Sequence, residues 1–172
     1  MSQQPLAPWQ ATLSRGDVVA FRFPHEKEGP DAEKRRPALV LGTTELGDDL
    51  FVELAYGTRQ RRSRKSGRVI AVSDRDELIA ASLDAATNFD AARRITVSVR
   101  DPDFVVNGRV GTAVLGRLTG QSLAQLRRVI DRLGGSSDRR PRPHFRRRTD
   151  PRTVRVEYRS RGRTVGREMR HV

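Results

Sequence analysis

In the stretch 34–42, KRRPALVLG, an arginine stands directly before a proline and a continuous apolar run. Because a residue that precedes proline is restricted to extended geometry, Arg36 is expected to have a constrained backbone. Pro37 has no N–H and suits the first residue of a strand or an edge position. Arg36 would then lie at the rim of the fold, where its planar guanidinium can bind a phosphate through two hydrogen bonds. The alternative is an ordinary surface arginine that pairs with Glu33, Glu53 or solvent.

A hydroxyl side chain and a run of basic residues follow the Arg-Pro step along the chain. Thr58 ends the segment AYGT (55–58), and its hydroxyl can bond to a phosphate oxygen or cap the turn after Gly57. The loop RQRRSRKSGR (59–68) contains no acidic residue. Its like charges repel unless a polyanion neutralises them, which favours a surface that binds a nucleic-acid backbone over a solvated loop. The basic residues assigned to this surface are Arg35, Arg59, Arg61, Arg62, Arg64, Lys65 and Arg68.

Charge and composition favour an acidic partner. The 172 residues include 34 Lys+Arg against 21 Asp+Glu, a net charge of +13, which is typical of proteins that bind nucleic acid. Cysteine is absent, so the sequence excludes disulfides, thiolate catalysis and cysteine-ligated zinc. No apolar run approaches the roughly 18 residues of a membrane span, and the N-terminus lacks the pattern of a secretion signal. We therefore expect a cytoplasmic protein with no membrane contact.

A change of composition divides the chain at GGSS (134–137), a flexible sequence. Residues 135–172 hold 13 arginines against four acidic residues, a net charge of +9. We expect an N-terminal lead (1–13), a packed domain (14–134) and an Arg-rich extension (135–172) that is disordered or forms a weak hairpin. The extension can add affinity for RNA or DNA, or wrap a neighbouring subunit.

Short valine-rich runs separated by turn residues predict antiparallel strands within residues 14–134. The runs are residues 17–23, 38–42, 50–56, 68–72, 95–99 and 112–118. Two helices are also predicted: one begins at a capping box of Asp74 and Glu77, and one begins at Ser122 and ends at Gly134. The expected fold class is mainly β, a small antiparallel β-barrel or sandwich with a short internal helix and a C-terminal helix.

Three motifs, taken in order along the chain, carry a family resemblance. GDVVAFRFP (16–24), KRRPALVLG (34–42) and a strand ending in AYGT (55–58) together resemble the PemK/MazF family of toxin endoribonucleases. The segment VLGRLTGQSLAQLRRVIDRL (114–133) is similar to the family's last strand and C-terminal helix. The resemblance implies a compact SH3-like barrel, a homodimer, cleavage of single-stranded RNA without metal or cofactor, and inhibition by a cognate acidic antitoxin.

The same resemblance implies roles for individual residues. The family's Gly-Asp strand start corresponds to Gly16-Asp17. Its catalytic arginine corresponds to Arg36, and its Thr or Ser corresponds to Thr58. A loop histidine found in some members corresponds to His25, and an acidic residue found in others corresponds to Asp90.

Metal-free cleavage of RNA makes its own chemical demands. The neighbouring 2′-OH attacks the phosphate, so the site needs a base, a group that stabilises the pentacoordinate phosphorus, and an acid for the leaving oxygen. Arg36 suits the second role, but it is a poor base because a guanidinium holds its proton tightly. His25, which can change charge near neutral pH, Glu26 and Asp90 are the candidates for the base.

Other interpretations stay open at this point. The same barrel could bind RNA or DNA through its loops and extension without catalysis. A third possibility is a CcdB-like toxin that acts on a topoisomerase. Tyr56 and Phe89 either stack on a nucleobase or belong to the core.

Overall fold

The computed structural model describes residues 5–23, 34–60 and 67–134. Within these residues it contains six strands and three helices. The strands are β1 (Asp17–Phe21), β2 (Arg36–Leu46), β3 (Asp49–Thr58), β4 (Val69–Val72), β5 (Thr87–Ser98) and β6 (Val114–Arg117). The helices are α1 (Pro8–Thr12), α2 (Arg75–Ala80) and α3 (Gly120–Gly134). In this part of the chain, no helix is long and apolar enough to cross a membrane.

The strands form one antiparallel sheet in the order β4-β5-β3-β2-β1-β6, which confirms the mainly β fold class. The sheet is not closed into the predicted barrel, since in the described residues no ladder joins the outer strands β4 and β6. The Gln125 side chain of α3 accepts a hydrogen bond from Ala71 N (3.1 Å) and donates one to Val69 O (2.9 Å), as a pairing strand would. Gln125 thus covers the β4 edge with hydrogen bonds from a helix in place of a further strand. On β6, the other outer strand, a Cβ on Gly116 would overlap the main chain at the end of α2, so this helix packs on the face of the sheet there.

Both faces of the sheet are buried, which explains the continuous apolar run in β2. Ala38 and Val40 belong to one apolar layer, and Leu39 and Leu41 belong to the other, because successive side chains of a strand point to opposite faces. Residues of α1 and of the segment after β5 complete the first layer, and residues of α2 and α3 pack on the second. Full burial of each Leu or Val contributes about 1.5–3 kcal/mol.

Part of the predicted lead (1–13) contributes to the first layer. Trp9, in α1, is buried and meets the edge of Phe104 with 5.3 Å between ring centroids. Gln10 Nε2 donates a hydrogen bond to Val99 O at 2.9 Å, which ties α1 to the end of β5. The helix has five residues, too few for a helical period to be read from the sequence.

Strand β5 is longer than the sequence predicts, since the apolar run marks only 95–99 and the strand begins at Thr87. Two consecutive residues of β3 pair with Arg94 and Asp90 of β5, which are four residues apart. Residues 91–93 therefore form a bulge, which bends the strand. The two halves bury their apolar side chains in different layers, so no single alternation runs through the strand.

The two longer helices are linked by a buried carboxylate. Asp74 caps α2 as predicted, and its Oδ1 accepts a hydrogen bond from Glu77 N at 3.2 Å. The Glu77 carboxylate, however, accepts hydrogen bonds from Gln121 N (2.5 Å) and Ser122 N (3.2 Å) at the first turn of α3. The prediction that Ser122 begins the helix is wrong, because α3 begins at Gly120 and an acid from α2 satisfies its first amides.

Candidate functional site

A cleft of about 390 Å³ opens at the end of the sheet where β1 and β3 end and β2 and β5 begin. Antiparallel pairing brings these strand ends together, since neighbouring strands run in opposite directions. Residues from the segment 81–86, between α2 and β5, form another wall. The segment 24–33, between β1 and β2, and the segment 61–66, between β3 and β4, lie outside the described residues.

Arg36 is the first residue of β2 and lines the cleft. It pairs with Phe21 at the end of β1, and Pro37 pairs with Ala20. The strand thus begins one residue before Pro37, which the Arg-Pro step predicts as its first residue. From Ala38 onward the next four residues of the strand are buried, and this anchoring determines where the backbone of Arg36 lies.

Thr58 is the last residue of β3 and lines the same cleft. Its Oγ1 accepts a hydrogen bond from Gln60 N at 3.2 Å, so the turn-capping role is present. That bond leaves the hydroxyl hydrogen for another contact, because a hydroxyl both donates and accepts. The preceding residue, Gly57, is packed so closely that a Cβ there would overlap Pro37 O and lie 2.8 Å from Phe89 Cε1.

The cleft combines a basic rim with an apolar floor. Its cationic lining residues are Lys34, Arg35, Arg36 and Arg59. Its apolar lining comes from Ala20, Pro37, Gly57, Leu83, Ala85 and Leu115. A phosphate fits the rim by charge, and the planar face of a nucleobase fits the floor, since bases are recognised by stacking and apolar contact as well as by hydrogen bonds.

One acidic side chain faces this basic rim among the described lining residues. Asp84 lies in the segment after α2, and its Oδ2 is 3.6 Å from Arg59 Nη2. Ser82, two residues earlier, also lines the cleft and has a positive φ of 51°. Neither residue is predicted from the sequence, because nothing in the local pattern of this short segment indicates that it lies opposite the start of β2.

Of the predicted site residues, the cleft brings together Arg35, Arg36, Thr58 and Arg59. The cleft also includes Lys34, directly before the two arginines, which is not among the predicted site residues. Arg35 directly precedes β2 and Arg36 begins it, whereas Thr58 ends β3 and Arg59 follows it. Because β2 and β3 form one β-hairpin, all of these residues lie at the same end of the sheet.

Two predicted site residues lie elsewhere in the structure. Asp90 is at the bulge of β5, where its Oδ1 accepts a hydrogen bond from Ala92 N at 2.9 Å, and it does not line the cleft. Arg68 directly precedes β4, near α3, where Arg132 Nη1 donates to Gly67 O at 3.4 Å. It does not line the cleft either.

The remaining predicted residues either lie outside the described residues or are in the core. Those outside are His25, Glu26, Arg61, Arg62, Arg64 and Lys65. Tyr56 and Phe89 are core residues, with exposed fractions of 6% and 0%. The Arg93 guanidinium lies 4.3 Å from the centroid of the Tyr56 ring and helps to cover it.

The Gly16-Asp17 step has a structural role in this fold. Asp17 Oδ1 accepts a hydrogen bond from Arg117 Nη1 at 2.7 Å, and its Oδ2 accepts one from Ser14 N, also at 2.7 Å. Gly16 adopts a φ of 95°, a conformation that favours glycine, and its carbonyl accepts a hydrogen bond from Leu118 N at 2.8 Å. These contacts fasten the start of β1 to the end of β6.

No group of three or more His, Asp or Glu side chains in residues 5–23, 34–60 and 67–134 is placed to hold a metal ion. No protein-family model matches the chain, and no curated protein matches it. The function is therefore inferred from the residues that line the cleft.

Proposed function

We propose that this protein is a toxin endoribonuclease of the PemK/MazF kind, which cleaves single-stranded RNA by attack of the 2′-OH on the adjacent phosphate. The observation that supports this proposal is the meeting of Arg36 and Thr58 in one cleft with three further cations on its rim. These two residues are the ones that the resemblance assigns to catalysis. Their common location also meets the chemical requirement for a phosphate held by a guanidinium and a hydroxyl.

In the proposed reaction, the 2′ oxygen bonds to phosphorus and the bond from phosphorus to the 5′ oxygen breaks. The products are a 2′,3′-cyclic phosphate and a free 5′-OH. Arg36 stabilises the extra negative charge on the phosphate oxygens in the transition state, and Thr58 orients the phosphate. The proton of the 2′-OH passes to a base, and a second proton reaches the 5′ oxygen.

The candidates for the base lie in the segment that joins β1 to β2. His25 and Glu26 belong to this segment, which begins and ends at the same end of the sheet as the cleft. Asp90 is a weaker candidate, because its carboxylate is engaged at the bulge of β5.

The proposed partners follow from charge and from the resemblance. Single-stranded RNA is the substrate, and an acidic antitoxin would compete with RNA for the basic rim of the cleft. The protein would act as a homodimer in the cytoplasm and need no cofactor. The Arg-rich extension, residues 135–172, would add salt-dependent affinity for RNA or DNA.

The direct test is to incubate the purified protein with RNA in EDTA and to map the cut sites by primer extension. We expect cleavage that leaves 2′,3′-cyclic phosphate ends. Arg36→Ala should lower the cleavage rate by about 100-fold or more, the usual cost of removing a donor to a developing oxyanion. Thr58→Ala should lower it less, and Thr58→Ser should retain most activity because it keeps the hydroxyl.

A matched control is Arg109→Ala, which removes an exposed arginine from a turn that does not line the cleft. It should cleave RNA at the wild-type rate. The proposal fails if the wild type does not cut RNA, or if Arg36→Ala and Thr58→Ala cut it unchanged. Intact RNA together with tight, strongly salt-dependent binding would identify a non-catalytic binding protein instead.

A further inference from the structure

A mixed pair of charges lies at the rim of the cleft. Arg59 Nη2 and Asp84 Oδ2 are 3.6 Å apart, and their side chains are 71% and 91% exposed. Ion pairs this exposed add little to stability, because water screens them and two side chains must be ordered. An incoming ligand can therefore separate or share the pair at small cost.

The segment that carries Asp84 is held by contacts that do not involve its carboxylate. Ser82 N donates a hydrogen bond to Ile79 O at 3.1 Å, and Leu83 N donates one to Leu78 O at 2.9 Å. Both bonds continue the end of α2 into the cleft wall. The backbone hydrogen bonds hold the segment in place, and they do not use the Asp84 carboxylate. The carboxylate is therefore not needed to fold this segment.

The chemistry of the pair matches the edge of a nucleobase. A carboxylate accepts two hydrogen bonds side by side, and a guanidinium donates. Guanine is the base whose edge presents two neighbouring donors, N1–H and the N2 amino group, next to an acceptor, O6. Asp84 would accept from the two donors and Arg59 would donate to O6. Adenine and cytosine present one amino donor, and uracil presents one ring N–H.

The surroundings of the pair fit the rest of a nucleotide. Leu83, Ala85 and Leu115 supply apolar lining for the flat face of the base. Arg36 and Thr58 line the same cleft, so a phosphate held there belongs to the same short stretch of RNA.

We propose that Asp84 and Arg59 determine the base specificity of the cleft by recognising a guanine next to the bound phosphate. This inference rests on the proposed function, since it assigns a preferred base to the same RNA-binding site. Asp84 also opposes indiscriminate binding, because a carboxylate among four cations repels any phosphate that arrives without a base able to donate to it.

The experiment measures binding without cleavage. Fluorescently labelled oligouridine, substituted with 2′-fluoro at every sugar so that no 2′-OH can attack, carries one central guanine, inosine, adenine or cytosine, or remains all uracil. Fluorescence anisotropy gives the Kd of the full chain for each oligonucleotide at one fixed salt concentration. Inosine tests the N2 amino group alone, since it keeps O6 and N1–H.

The wild type should bind the guanine oligonucleotide about ten-fold more tightly than the adenine, cytosine and all-uracil oligonucleotides, as expected for a contact made by two hydrogen bonds. Inosine should lose a substantial part of this preference. Asp84→Asn should bring all five Kd values within about three-fold of each other, with an average affinity that is unchanged or higher because a negative charge is removed. Arg59→Lys, which keeps the charge but loses the planar donor array, should also weaken the guanine preference.

Glu45→Gln is the matched control, because it removes the same charge from an exposed residue at the opposite end of β2. It should keep the guanine preference. Equal affinity of the wild type for all five oligonucleotides, a preference for another base, or a guanine preference that survives Asp84→Asn would overturn the inference. Cleavage of RNA without a guanine preference would reject this inference alone, and a guanine preference without cleavage would reject the proposed function alone.

Discussion

Replacing Gly57 with alanine should damage both the stability of the sheet and the cleft. A Cβ at this position would overlap Pro37 O and would lie 2.8 Å from Phe89 Cε1. The first of these atoms belongs to the main chain of a neighbouring strand, and the Phe89 ring is fully buried. Neither can move aside without shifting β2 or repacking the second apolar layer.

Two opposing effects set the size of the change. Overpacking of a well-packed site costs about 1–3 kcal/mol. The loss of chain freedom in the unfolded state on going from Gly to Ala favours folding by about 0.4–1 kcal/mol. We therefore expect a net loss of about 1–2 kcal/mol in the free energy of unfolding. Because Pro37 directly follows Arg36, a shift of β2 should also move Arg36 relative to Thr58. A displacement of about 1 Å between the two should slow RNA cleavage by about 100-fold.

The measurement is urea unfolding followed by circular dichroism, together with the RNA cleavage assay. Gly108→Ala is the matched control, since a Cβ at Gly108 meets no atom within 4 Å. It should be neutral or slightly stabilising and should cleave RNA normally. Stability of Gly57→Ala within about 0.5 kcal/mol of the control, the usual range for a neutral substitution, would refute the close approach of β2 and β3 at the cleft.

Two further predictions test how the helices are joined to the sheet. Glu77→Gln should lower the free energy of unfolding by about 2 kcal/mol, because the buried carboxylate accepts charge-assisted hydrogen bonds at the start of α3. The control is Asp76→Asn, at an exposed neighbour, which should cost less than about 0.5 kcal/mol. Equal losses of the two variants in urea unfolding would contradict this role of Glu77. Gln125→Ala should lower the unfolding free energy by about 1–2 kcal/mol and speed hydrogen exchange at Ala71 N. Gln125→Glu keeps the acceptor for that amide and should protect it better than Ala does; unchanged exchange at Ala71 N in Gln125→Ala would count against the pairing of this side chain with β4.

Local patterns predicted those parts of the fold that depend on neighbouring residues. Strand β2 begins within one residue of the start predicted from the Arg-Pro step, because proline restricts the residue before it to extended geometry. Asp74 caps α2 because an N-cap needs only a side-chain oxygen and the next turn of backbone. The first half of β5 is not predicted from the sequence. The bulge at 91–93 places the buried residues of this half in the other layer, so the alternation of apolar and polar residues does not continue through the strand.

The sequence by itself determined the mainly β class, the start of β2, the cap of α2 and the candidate role of Arg36, since each depends on residues that are adjacent along the chain. Only the tertiary structure decided that the sheet is not closed into a barrel, because that depends on which strands pair and on α3 reaching the β4 edge. It also decided that Asp84 lies next to Arg59 in the cleft and that the Glu77 carboxylate accepts a hydrogen bond from the first turn of α3. These contacts join residues from separate elements, and the packing of those elements, not the pattern within either one, brings the residues together.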